Sequence, residues 1–199
     1  MMEELRPGLW RWMTAHPEWK AGKDWPERVA SIAVATGDGR LALIDPLVRD
    51  DSVWTWLAAR GPIVVLLGND YHQRSRDEVV RRTGATVLSP DGVMPPGIEA
   101  FPIAGLDGPE TAYYLAPQRA VVFADAVLGQ ADGGVALAPK SWSSDKSLYA
   151  RIFRAEVAKV AARPIDLVLV SHGEPILSGG DAALRRALDG PAWRPAVTS

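Results

Sequence analysis

The sequence contains no cysteine and only three histidines, His16, His72 and His172. Without thiols there can be no disulfide framework, no thiol nucleophile and no thiolate zinc site, so any metal must rest on imidazole and carboxylate. No apolar run reaches the ~18 residues of a membrane span, and the opening Met1–Trp19 segment mixes acids, arginine and proline where a signal peptide is uninterruptedly apolar. The expected setting is cytoplasmic, with no membrane partner. Charge of one sign is missing too: 22 basic and 24 acidic residues are interspersed, for a formal net charge of −2, leaving no face to attract a phosphate backbone. Nucleic acid is therefore not an expected partner. The densest basic stretch, Arg74, Arg76, Arg81 and Arg82, is interrupted by Asp77 and Glu78 and reads as a solvated helix face. Phosphate-loop spacing and a G-x-S-x-G serine elbow are absent, which sets aside nucleotide binding and serine hydrolysis.

What is present is an ordinary globular composition, 47% hydrophobic and 23% charged over 199 residues, which suits one domain spanning 1–199. Apolar runs at 29–35 and 40–44 flank Thr36-Gly37-Asp38-Gly39 and predict a hairpin. A short strand is expected around 9–13, and further strands at 63–67, 86–88, 98–103, 111–115, 120–123 and 166–170. Helices are expected at 52–60, 76–83, 146–162 and 181–188, with a loop over 125–140. Strand-rich stretches alternate with helices in both halves, and the early hairpin argues against uniform parallel crossovers. The expected fold class is α/β with α+β-type layers: an αββα sandwich of two mixed β-sheets flanked by helices.

Polar groups follow directly on three of the buried strands. Asp70 and His72 come after Ile63–Leu67, Asp125 after Val121-Val122-Phe123, and His172 after Val168-Leu169-Val170. Strand ends of layered folds are where side chains converge on a ligand, and His, Asp and His from distant segments make a divalent-metal site of nitrogen and oxygen donors.

The same segments carry a resemblance. Leu41-Ala42-Leu43-Ile44-Asp45, the Val64–Gln73 strand and loop, Gly84-Ala85-Thr86-Val87, Tyr113–Pro117 with Val121–Ala126, and Leu167–Gly173 resemble, in order over about residues 29–188, the metallo-β-lactamase superfamily. They fall at the places of its H-x-H-x-D-H loop, its metal-bridging aspartate and its last histidine ligand. The resemblance implies a metal-dependent hydrolase. A two-metal centre of that family takes about five histidines, so the three here exclude it. The loop reads Gly68-Asn69-Asp70-Tyr71-His72-Gln73, the segment expected to supply the middle histidine reads Gly105-Leu106-Asp107-Gly108-Pro109-Glu110, and Ala124 replaces a glycine.

The resemblance then implies at most a one-metal site on His72, Asp125 and His172, with Asp70 or Glu174 as extra oxygen donors and Asp70 as general base. The cofactor is one divalent cation, with zinc the first choice, or none. The partner is a small molecule, hydrolysed if it is an ester, thioester or lactone. The alternative is a non-catalytic scaffold that has lost its metal and serves ligand binding or dimerisation; a homodimer is left open. Asp45 is expected to bind turn N–H groups and His16 to sit in a surface turn. Most of the eight tryptophans should fill the core, with Trp142 near the site because its loop follows Asp125.

Overall fold

Most strands are apolar on both faces, and their two-residue alternation divides the side chains between two cores. The computed structural model describes residues 2–195. In the first sheet, β1 (Met2–Arg6), β2 (Leu9–Ala15), β3 (Arg28–Ala35) and β4 (Leu41–Ile44) are antiparallel neighbours. β5 (Ile63–Leu66) and β6 (Thr86–Val87) continue it in parallel, reached through α1 (Asp51–Ala58) and α2 (Arg76–Thr83). The second sheet begins with the antiparallel β7 (Ile98–Ile103), β8 (Glu110–Leu115) and β9 (Ala120–Phe123). After the hairpin β10 (Val127–Gly129) and β11 (Val135–Leu137) come α3 (Lys146–Leu148), a wider π turn at Tyr149–Phe153 and α4 (Arg154–Ala161). The chain returns as β12 (Leu167–Val170), parallel to β9, and proceeds into α5 (Gly180–Asp189).

In β5, Val64 and Leu66 face the second sheet while Ile63 and Val65 face α1 and α2; in β12, Leu167 and Leu169 face the first sheet while Val168 and Val170 face the other helices. The molecule is thus an αββα sandwich. Each layer is stitched by local chemistry. Asp50 caps α1 by accepting the Ser52 N–H at 2.8 Å, and Gly84 closes α2 in the left-handed conformation that favours glycine. No helix among the described residues is long and apolar enough to cross a membrane.

Two elements depart from the sequence expectation. β1 is an acid-rich edge strand, Met-Glu-Glu-Leu-Arg, whose pairing to β2 supplies what its own pattern lacks. The 125–140 stretch holds the β10–β11 hairpin, with strands of three residues that are too short to show a period.

The registers matter most for function. Ile44 pairs with Leu66, and Phe123 with Val170, each in parallel, so the residues leaving β4 and β5, and those leaving β9 and β12, emerge side by side. Bridges Val29–His172 and Asn69–Glu110 then join the two sheets at that edge.

Candidate metal centre

Side chains from all four strand ends meet at this edge. Asp125 is the hub: its Oδ1 lies 3.2 Å from His172 Nε2 and 3.4 Å from His72 Nε2, and its Oδ2 accepts the Asn69 side-chain N–H at 2.6 Å. One ligand atom from each of His72, Asp125 and His172 lies within 4.8 Å of the others, so the three form a group able to hold one ion. Four donors arranged tetrahedrally at zinc-ligand bond lengths stand about 3.3 Å apart, close to both measured separations from Asp125. His72 is aimed by Asp45, whose Oδ2 lies 2.8 Å from Nδ1, which leaves Nε2 to face the centre. His172 Nδ1 is buried without a partner.

Asp45 is 1% exposed, and its other oxygen accepts the Gly68 N–H at 2.7 Å. It therefore binds a turn N–H, as expected, and orients an imidazole as well. Its φ of 49° and the 41° of Arg74 lie in the left-handed region. These two non-glycine residues, held in a sparsely populated conformation at one site, mark a locally constrained constellation. A Cβ on Gly68 would lie 2.7 Å from both Ala124 Cβ and Asp45 Oδ2. The methyl of Ala124, where the resembled family carries glycine, is thus accommodated by a glycine on the facing strand end. Gly68→Ala is expected to cost about 1–3 kcal/mol through overpacking, read as a lower urea midpoint at unchanged slope.

Glu110 closes the 105–110 segment, which lacks the histidine expected there, and it makes a different structure. It is 2% exposed, and its carboxylate accepts the backbone N–H groups of Ala124, Asp125 and Ala126 at 3.1, 2.8 and 2.7 Å. It clamps the turn that carries Asp125. Arg74 departs from the solvated-face expectation: it is half-buried and turned inward, donating to the carbonyls of Ala30 and Asp45 at 2.8 Å and to Ser171 Oγ at 3.2 Å. Arg76, Arg81 and Arg82 do pair with Asp77 or Glu78 as a polar helix face.

Electrostatics follow from this packing. Burial and the Arg74 guanidinium pull the His72 imidazole down, but the Asp125 and Asp45 carboxylates outweigh them and hold it up at about 9. Burial alone would raise Asp125; the His72 and His172 imidazoles hold it well below the usual carboxylate range. Burial and the nearby Asp125 push Glu110 up to about 8, against the pull of its N–H donors. Burial lowers His172 despite Asp125.

These groups form the floor of a cavity of about 340 Å³ whose walls include His16, Trp25, Tyr71, Leu106 and Trp142. Trp142 is therefore near the site, as its place after Asp125 suggested. His16 is not confined to a surface turn: it is half-buried and lines the cavity, with its ring 5.2 Å from that of Trp25. The 16–27 loop brings it there, and nothing in its local sequence signals this. Asp70 is exposed at the start of a 3-10 turn and is not a cavity-lining residue. Glu174 is also exposed and lies 3.6 Å from Arg11, outside the group of three. The sequence signals for Asn69 and Glu110 are weak: Glu110 is the polar residue that opens the buried run of β8, and Asn69 lies in the polar loop three residues after β5.

No protein-family model matches the sequence, and no curated protein matches it. Solved structures do. A metallo-β-lactamase from Hirschia baltica superposes with a TM-score of 0.65 at 14% identity, covering 95% of this chain and 96% of its own. One from Pontibacter korlensis gives 0.63 at 16%, covering 93% and 98%, and one from Erythrobacter litoralis gives 0.63 at 12%, covering 94% and 90%. With its four layers, its strand-end cluster and these near full-length superpositions, the chain has the metallo-β-lactamase fold.

Proposed function

We propose that this protein is a one-metal hydrolase of small acyl esters, thioesters or lactones. The observation that carries the reading is the meeting of His72, Asp125 and His172 on the floor of a cavity, with both donor separations from Asp125 close to those around one tetrahedral ion. A divalent ion, zinc by its ligand chemistry, would supply Lewis acidity and water activated near neutral pH. The chain's own groups do the rest. Asn69 fixes the Asp125 carboxylate, Asp45 fixes His72, and Glu110 holds the intervening turn. His16 is kept neutral by burial and the nearby Arg74, and its Nδ1 accepts the Glu18 N–H at 3.3 Å. Its proton then resides on Nε2, as a donor for charge developing on an acyl oxygen. Asp70 has no part in this, being exposed outside the cavity.

The test is metal analysis of chelator-free protein, followed by zinc titration and a panel of chromogenic esters, thioesters and lactones. Near-stoichiometric metal with chelator-sensitive turnover supports the reading; no binding after zinc is offered ends it. Because His72 sits at about 9 and must shed its proton to become a ligand, apparent zinc affinity should rise up to about tenfold per pH unit between pH 6.5 and 8.5. Calorimetry at several pH values checks this, and a flat profile contradicts it.

One observation favours a second reading, a metal-free binding scaffold. Arg74 and a protonated His72 supply two cations against the two carboxylates of Asp45 and Asp125, which balances the cluster without an ion. The same titration decides between the two: in the metal-free case the cavity binds small molecules while zinc does not enter.

A further inference from the structure

The cavity walls are more specific than its floor. Trp25 packs beside two other cavity-lining rings, His16 at 5.2 Å and His172 at 5.5 Å, and its backbone carbonyl accepts the Trp19 indole N–H at 2.8 Å. Trp142 leans on Trp193 at 6.0 Å and spends its indole N–H on Asp24 at 2.7 Å, which ties the 16–27 loop to the 140–142 turn. Tyr71 is 68% exposed, yet its ring rests on Gly108, where an added Cβ would approach Cε2 to 2.9 Å. Gly108 has a φ of 82°, so both its conformation and this contact favour glycine. Three aromatic rings are thus held in place around a space of about 340 Å³, and Trp142 has no free N–H to offer a ligand. The polar groups of the cavity are His72, Asp125 and His172 with their supports on the floor, and His16, Glu18 and Asp107 elsewhere around it.

From this we infer the substrate class of the same site: flat esters of aromatic acids, with the aromatic group beside Trp25 and Trp142 and the acyl oxygens toward the floor. The inference rests on the proposed hydrolase reading for the word ester, but the aryl preference is a property of the walls and can be tested without a metal. Aromatic faces attract an aromatic ring beyond the area it buries, whereas a saturated ring of the same size gains only burial.

The experiment is binding of methyl 2-naphthoate and of its saturated counterpart, methyl decahydro-2-naphthoate, to the chelator-treated full chain, by calorimetry or ligand-observed NMR. The aromatic ester should bind about fivefold to tenfold more tightly. Trp25→Leu and Trp142→Leu should each erode the preference, and Trp25→Phe, which keeps a ring, should retain it. Equal binding of the two esters, or an unchanged preference in both leucine variants, overturns the inference. Aryl preference in a protein that never takes zinc sinks the hydrolase reading alone, and zinc binding without aryl preference sinks this inference alone.

Discussion

Glu110→Ala is expected to be the most destabilising single substitution around the cavity, at roughly 3–5 kcal/mol, or on the order of 10 °C in Tm for a chain of this size. The Glu110 carboxylate is the acceptor for three successive N–H groups, those of Ala124, Asp125 and Ala126. A buried N–H without a partner costs about 1–3 kcal/mol, and alanine would strand three on one turn. Urea denaturation measures the loss, and a change under 1 kcal/mol would show that water or a backbone shift replaces the carboxylate. Glu110→Gln offers a second readout through pH. Glu110 is raised from its ordinary 4.5 to about 8 in the folded chain, so the folded state binds its proton more tightly than the unfolded state does. That contribution is fully present below about pH 4.5 and is lost as pH rises through about 8. Glutamine cannot titrate, so its stability profile should lack this part of the wild-type decline.

His172→Ala is expected to lower zinc affinity by at least about 100-fold while costing less stability than the change at Glu110. Three protein ligands are the usual number for a catalytic zinc ion, so losing one leaves too few to compete with water. The structural penalty is limited because the ring makes no hydrogen bond through Nδ1 and contacts Asp125 only through Nε2. Calorimetric zinc titration of the variant, beside its denaturation midpoint, separates the two effects. If zinc affinity is unchanged, the ion binds elsewhere, and the group of His72, Asp125 and His172 is a charge cluster only.

Much of the architecture is legible in the sequence because burial on both faces leaves continuous apolar runs. Ile63–Leu66, Ala120–Phe123 and Leu167–Val170 stand out, and α2 with its glycine cap has the predicted bounds of 76–83. β1 and the β10–β11 hairpin are not legible, since a polar edge strand and three-residue strands are stabilised by partners rather than by their own pattern. The site divides in the same way. His72, Asp125 and His172 are visible as polar residues placed directly after buried strands. Arg74 is misread because the charges beside it, Asp77 and Glu78, describe the outer face of α2, while its own backbone turns inward at a positive φ. His16 is misread because its role depends on the path of the 16–27 loop across the cavity, which no periodicity encodes.

By itself, then, the sequence determined that no thiol site and no two-metal centre of five histidines can be built, because neither is possible by count, and that His and Asp stand at strand ends. Only the tertiary structure decided that these ends share one edge, since parallel register between β4 and β5 and between β9 and β12 is a long-range pairing that local propensity does not specify. It likewise decided the supporting roles of Asp45, Asn69, Arg74 and Glu110. A carboxylate or guanidinium acquires its function from the particular N–H, carbonyl, hydroxyl or imidazole it meets, and those partners lie as far as 97 residues away along the chain.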